Sequence, residues 1–426
     1  MRSSPNSSRS PRLLLDSYRP IEGVLDEMVD AAGSLRPAWK EFIAALEEVG
    51  PQELKERFTR ADQYLRDAGV YYRVYDRAGA NEREWPLAHV PLLVDETEWA
   101  GISAGLTQRA ELFEAISADI YGENRLVADG LLPAGLIASS PEYLRPFAGV
   151  KPAGGHFLHI CAFDLGRGPD GRWWVLGDRM QAASGAGFAL ENRVATTRAL
   201  SDIYGEMHVH RLAGFFRRFR DALTGMAGEP AGRPAILTPG PLNETYYEHA
   251  YIARYLGVML LEGEDLTVTN GRLMVRTVSG PKPVTVLWRR LDAAFADPLE
   301  LRADSRIGTP GLAEAVRQGS VTMVNALGSG ILETRVLTAF LPDIAQALTG
   351  KALDLPSIAT WWCGSEAGRR HVLDHLDRMM IGPALSTRLP FEDDGATVEI
   401  MEFQTIDIES VAEPVRSEFA TAEPSQ

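Results

Sequence analysis

A chain of 426 residues is too long for one ordinary core, so two or three domains or one large elaborated α/β unit is the expectation. Its 45% apolar and 24% charged residues are ordinary for a soluble globular protein, and a net charge of −15 without a dense basic block disfavours a nucleic-acid surface. Cys161 and Cys363, its only cysteines, make no disulfide framework and suit a reducing cytoplasm, with room for one bridge at most.

The opening MRSSPNSSRSPRLLL is basic and Ser-rich, with an apolar run of only Leu13 to Leu15. That is too short for a signal-peptide core, and no later run reaches the length of a membrane span. Residues 1–15 therefore read as a disordered lead-in, and no membrane partner is expected. A helical and mixed module follows over 16–150. WKEFIAALEEV and ELKERFTRADQYLRDAG carry apolar residues at helical spacing, the second stopping at Gly69. VYYRVY, from Val70 to Tyr75, is β-branched and aromatic and reads as a strand. Thr97 to Tyr121 is a long amphipathic helix with Trp99, Ile102, Leu106, Ala110, Phe113, Ile116 and Ile120 on one face.

From His156 the pattern changes to strands divided by glycine-rich turns, opening an α/β core over 151–384. HFLHICAFDL, the GPDG turn at 168–171 and RWWVLGD form a hairpin candidate that sets Asp164 and Asp178 near the ends of neighbouring strands, where two carboxylates could meet. AILTPG is a strand and turn, TYYEHAYIARYLG a helix and VMLLEG a strand; LTVTNGRLMVRT is a hairpin whose Asn270-Gly271 is a type I′ signal. Strand VTVLWRR, a helix near LAEAVRQG, strand VTMVNALG and another helix complete an alternation that argues for substantial parallel pairing. The end, 385–426, is an acidic tail: from Glu392 to Gln426 ten acids stand against one base, Arg416, with VEIMEF as the only alternating apolar stretch.

Three constellations carry chemistry, each beside a structural alternative. In WWVLGDRMQAASGAGFALENR a strand breaks at Asp178 and Arg179 into a small-residue loop. Gly185 and Gly187 suit a tight turn at positive φ; equally, small residues bring backbone N–H groups close to a phosphate. MVNALGSGILE, at 323–333, runs strand, glycine loop, helix, an order that aims helix N–H groups at an anion, although it is neither a Walker A sequence nor a full G-x-G-x-x-G. VLWRRLD places Arg289 and Arg290 after a strand on opposite faces, one of them a phosphate or carboxylate clamp or else part of a surface ion pair. The histidines form no strong metal motif: His208 and His210 share a face only on a strand, and His371 and His375 share one on a helix that lacks the Glu of HExxH.

Four stretches together resemble the circularly permuted ATP-grasp proteins of type 2, related to glutathionylspermidine synthase. They are FDLGRGPDGRWWVLGDRMQAASGAGFALENR, LTPGPLNETYYEHAYIARYLGVMLLEGEDLTV, WRRLDAAFADPLELRADSRIGTPGL, and NALGSGILETRVLTAFLP followed by LPSIATWW, in the family's order over residues 16–383. The resemblance implies an α/β fold of circularly permuted ATP-grasp type, with mixed sheets, flanking helices and the N-terminal helical module. It implies ATP and Mg²⁺ as cofactors, and ligation of a small-molecule or peptide carboxylate to an amine through an acyl phosphate. Carried over by position, Asp164 matches a metal-binding acid. Gly177 and Arg179 stand where relatives carry metal ligands, leaving Asp178 as a substitute ligand that strand alternation turns to the opposite face. Ser184, Gly185, Glu191, Asn192 and Arg193 match a phosphate or substrate contact region. Arg193, Arg289 and Arg290 are the candidate catalytic cations, and Asn325, Gly328 and Gly330 join Ser184, Gly185 and Asn192 as candidate nucleotide contacts. After HVLDHLDRMM relatives continue with a Lys-Pro strand, whereas here Gly382 takes the lysine position, which removes a point charge from the phosphates. Two functions follow as expectations: an ATP-dependent carboxylate–amine ligase with its nucleotide clamp truncated or diverged at the C-terminal end, where a second chain could complete the site, or a catalytically inactive fragment or pseudo-ligase that binds a peptide or partner protein.

Overall fold

The computed structural model of the chain describes residues 18–76, 79–227 and 232–388; the lead-in at 1–15 and the acidic stretch with VEIMEF lie outside the described residues. Two helices, Pro37–Val49 and Pro51–Asp67, each begin with proline in the first turn, where the missing N–H costs nothing, and Gly50 at φ 81° turns the chain between them. They bury Trp39, Phe42, Ile43, Leu54 and Leu65 against Phe188, Ala195 and Leu200, so this N-terminal part shares a core with the helix Ala186–Ala199. Strands β1 (Tyr71–Asp76) and β2 (Gly79–Glu84) pair antiparallel.

The long helix Glu96–Ile120 is capped by Asp95, whose side chain accepts the Glu98 N–H at 2.9 Å. Its buried face differs from the expected stripe. Trp99 is exposed, while Arg109, 1% exposed, sits among Ile102, Leu112, Phe113, Ile116 and Ile120. A charged residue holds a core position there because its partner comes from a distant strand, described below.

Strands β3 (Ala162–Arg167) and β4 (Trp173–Arg179) form the expected hairpin around the GPDG turn, with a register shift between Asp164 and Leu165. Strands β5 (Pro234–Leu237) and β6 (Met259–Leu261) belong to the parallel sheet, and the helix Tyr246–Leu256 crosses between them. Strands β7 (Leu266–Thr269), β8 (Arg272–Val275) and β9 (Lys282–Pro283) make a small antiparallel sheet. Its first turn holds Asn270 and Gly271 at φ 51° and 71°, as a type I′ hairpin requires. Strands β10 (Val286–Arg289) and β11 (Thr322–Val324) return to the parallel sheet, whose order is β11-β10-β5-β6.

This order has a functional consequence. The chain leaves β5 toward β6 on one side and later resumes at β10 on the other, so the sheet's switch point lies between β5 and β10. In open α/β sheets that is where a crevice forms, outside the carboxyl ends of the strands. Those ends carry Thr238 and Arg290.

Candidate functional site

The crevice at the switch point is closed by the chain's own groups. Arg290, buried, donates to the carbonyl of Ala183, to Ser184 Oγ at 2.9 Å and to Glu248 at 3.2 Å. The other oxygen of Glu248 accepts the N–H groups of Gly185 at 2.8 Å and Gly187 at 3.0 Å. An internal carboxylate thus occupies the place an external anion would take at this loop, and Ser184, Gly185 and Arg290 are brought together around it. Only Ser184 of the three is exposed. Gly185 has φ 112°, the turn conformation expected of it. Gly187 is glycine for a different reason: a Cβ there would lie 2.8 Å from Glu248 Cγ. Gly187→Ala is expected to cost about 1–3 kcal/mol in urea denaturation through overpacking against Glu248 and Ile252. Beside this loop His249 bonds the hydroxyls of Thr238 and Thr245 at 2.9 and 3.2 Å; burial, with Arg290 near, pushes its pKa down to about 2 and keeps it neutral.

Arg289 points the other way and forms a second cluster. Fully buried, it donates to the carbonyls of Asn325 and Ala326 at 3.2 Å, of Leu291 at 2.9 Å, and to Ser329 Oγ at 3.0 Å. Burial pushes its pKa down to about 10. Asn325 accepts the N–H groups of His159 and Ile160 and donates to the carbonyls of Ile160 and Met180, so it staples β11 to the segment entering the hairpin and to the end of β4. Gly328, at φ 93°, lies under the Tyr121 hydroxyl, and a Cβ at Gly330 would meet Glu142 and Gln181. Two expectations are corrected here. Ser329–Glu333 is a buried 3₁₀ turn and not an α-helix presenting N–H groups to an anion. Neither arginine makes a surface ion pair, because the strand carrying them runs through the middle of the sheet.

Asn192 and Arg193 lie elsewhere. Asn192 Oδ1 accepts Trp85 Nε1 at 2.7 Å, and Arg193 donates to the His210 carbonyl at 2.8 Å with its guanidinium over the Tyr204 ring. No hydrogen bond among the described residues joins either to Arg289 or Arg290.

The two aspartates do not converge. Asp164 is opposite Gly177 and Asp178 is opposite Phe163, and side chains alternate along each strand, so the carboxylates face opposite sides of the hairpin. Asp178 is buried in a fork with Arg109, both bonds 2.6 Å, and Arg109 also reaches Ser357 Oγ. Asp164, partly exposed on the other side, meets Arg179 at 3.0 Å. The expected meeting of two carboxylates is therefore corrected, and no group of three His, Cys, Asp or Glu that could hold a metal occurs among the described residues. These residues do not fit Mg²⁺. His208 has φ 52° and lies off any strand with His210, while the rings of His371 and His375 stack at 4.4 Å on one helix face.

A cleft of about 660 Å³ opens beside this hairpin, between the end of β4, Leu332 to Thr338, Ile358 to Gly364, and Arg378 to Arg388. The second wall is held by 384–386: the carbonyl of Ser386 accepts the Arg335 N–H and that of Ala384 the Val336 N–H. The third is anchored on β4, where Val175 pairs with Ser357. Arg179, Arg335, Arg378 and Arg388 line the cleft against two acids, Asp178 and Glu333. Asp178 is already paired with Arg109. The Arg335 guanidinium has no hydrogen bond or ion pair among the described residues, and partial burial pushes its pKa down. Gly382 makes room for it: a Cβ there would lie 2.4 Å from Arg335 Nη1. The position where a lysine was expected is thus filled by an arginine from another segment.

Glu333 is the second acid. One oxygen, Oε1, accepts the N–H groups of Met180 and Gln181, both at 2.5 Å. Burial pushes its pKa up to about 7, against those N–H groups and the nearby Arg179 and Arg289. Between the ordinary carboxylate range and about pH 7 the unfolded chain has lost this proton while the folded chain keeps it. Stability therefore falls as pH rises through that window, by roughly 3 kcal/mol in all. Glu333→Gln keeps an oxygen for both N–H groups and cannot ionise. It should be more stable than the wild type in urea at about pH 8 and lose that advantage at about pH 4.

Sequence reasoning did not find this cleft. Arg335, Arg378 and Arg388 carry no shared spacing, and the single signal was the glycine at 382.

These features can now be set beside known proteins. The family model for circularly permuted ATP-grasp type 2 matches residues 91–405, starting after the N-terminal helices and running past 384, where the resemblance was expected to fade. The chain belongs to this family. An uncharacterized protein of Mycobacterium tuberculosis (strain ATCC 25618 / H37Rv) is 36% identical over 420 residues, covering 94% of this chain and 47% of that protein. An uncharacterized protein of Synechocystis sp. is 34% identical over 372 residues, 87% of this chain and 77% of that one. The chain thus spans about half the length of the mycobacterial relative. Among solved structures, a glutathione synthetase-like effector from Globodera pallida, in its apo form, has a TM-score of 0.45 at 14% identity over 74% of this chain and 72% of that one. No helix among the described residues is long and apolar enough to cross a membrane.

Proposed function

We propose that the cleft binds the phosphates of ATP and that the chain serves an ATP-dependent carboxylate–amine ligation through an acyl phosphate. The observation that carries this reading is Arg335. A guanidinium without a partner among the described residues, partly desolvated at the wall of a cleft that holds three further arginines, is a site for an anion with several charges. In a chain of net charge −15 that concentration of arginine is local and not compositional. Family membership supplies the reaction. A substrate carboxylate oxygen attacks the γ-phosphorus, ADP leaves, and an amine then displaces phosphate from the acyl carbon. The arginines would neutralise charge on the transferred group. Arg289 and Arg290 support the cleft's neighbours, and their bonds are all to the protein. No step is assigned to Mg²⁺, because the described residues do not fit it.

A second reading, a nucleotide-binding protein without turnover, is favoured by one observation: Asp178 is tied to Arg109, and Asp164, on the other face, to Arg179. The two readings separate in an assay for ATP-dependent hydroxamate formation, with the full chain, hydroxylamine and a panel of amino-acid and peptide carboxylates. Hydroxamate formation supports the ligase; nucleotide binding with no hydroxamate from any carboxylate supports the second reading.

A further inference from the structure

We propose that Glu333 is the amine-receiving group of this cleft, its free Oε2 taking a hydrogen bond from a substrate ammonium and then its proton. The inference rests on the ligase reading above and names the class of its second substrate. Glu333 is fixed on one side only: both backbone N–H groups go to Oε1, and Oε2 has no partner among the described residues. The residue borders the cleft, and among the described residues it is the one lining carboxyl without a side-chain cation of its own, since Asp178 is held by Arg109. Two residues along the same wall stands Arg335, also without a partner among the described residues, and the two do not pair with each other. A cleft that keeps one free carboxylate oxygen and one free guanidinium apart suits two ligand charges at once, an anionic phosphate at the arginine and a cationic amine at the acid.

The groups facing Glu333 are the N–H groups of Met180 and Gln181, with Arg179 and Arg289 nearby. They hold the carboxylate in place without consuming Oε2. In the ligation, Oε2 takes one proton from the ammonium, and the neutral amine nitrogen forms the new bond to the acyl carbon. The bond from that carbon to the phosphate oxygen breaks. The second amine proton leaves with the phosphate as hydrogen phosphate, and Glu333 returns its proton to solvent. A carboxyl that burial sets near neutrality is matched to this exchange.

The test uses ¹³C-methylammonium as the probe, followed by NMR line broadening on the full chain, for wild type, Glu333→Gln and Arg335→Ala. Wild type should broaden the probe at about pH 8 and do so less at about pH 6, as Glu333 takes up its proton. Glu333→Gln should weaken the interaction by about tenfold at the higher pH. Arg335→Ala should leave it unchanged. Equal broadening by wild type and Glu333→Gln, or wild-type broadening indifferent to pH, overturns the proposal; the pH series needs no variant and holds even where Glu333→Gln fails to fold. ATP titrations of the same samples keep the two readings apart. Normal ATP binding by Arg335→Ala removes the nucleotide assignment and leaves the amine result standing on its own.

Discussion

Arg109→Ala should destabilise the fold by about 3–5 kcal/mol, among the largest effects of any single substitution outside the apolar core. The reason is the charge it leaves behind. Asp178 is buried under the helix Glu96–Ile120, and its two oxygens are both taken by the guanidinium. With the arginine gone, a carboxylate remains in a low-dielectric site with no cation, and it must either stay charged at high cost or take up a proton. Asp178→Ala should cost a similar amount by leaving the guanidinium stranded. The double substitution Arg109→Met with Asp178→Leu should recover most of the loss, because a buried ion pair replaced by apolar side chains of similar volume is close to neutral. Chemical denaturation of the three variants checks this, and a cost below about 1 kcal/mol for Arg109→Ala would show that the pair is not what fixes the helix to the hairpin. The pair also has a bearing on the site. Arg109 bonds Ser357, and the segment after Ser357 is the cleft wall that carries Trp361 and Trp362. Loosening it should move that wall.

Arg335→Ala should have the opposite profile, a large loss in nucleotide binding with little loss of stability. Its guanidinium makes no bond to the described residues that folding would forfeit, and its partial burial is a cost that alanine relieves. A charge-assisted contact to phosphate is worth about 1.5–3 kcal/mol, so affinity for ATP should fall by about ten- to a hundredfold. Arg335→Lys should keep part of it, since a point charge remains but the planar fork does not. Gly382→Val should mimic the loss, because its side chain would enter the space of Arg335 Nη1.

Much of the fold could be read from the chain. The parallel strands at 234–237, 286–289 and 322–324 showed themselves as short apolar runs between turn residues, and Asn270-Gly271 announced its hairpin. Local chemistry decides such features, so local sequence reveals them. The candidate site was legible only in part. Ser184, Gly185 and Arg290 do meet at the switch point of the sheet, but nothing in their spacing told that Glu248, 63 residues from Gly185 and 42 from Arg290, fills the anion's place. Likewise the helical spacing gives no sign of Arg109, because its partner on β4 is 69 positions distant. Asp164 and Asp178 were legible further: the hairpin set their closeness, and the strand alternation that turns Asp178 to the opposite face holds in the observed register. The arginine cleft, assembled from four separated segments, had no local signature at all.

Isothermal calorimetry of ATP binding to the full chain, wild type against Arg335→Ala, tests the central claim most directly. Wild type should bind ATP, and binding should weaken by about tenfold or more in the variant while the unfolding midpoint stays in place. Equal affinity in the two proteins, or no binding by the wild type, would contradict it.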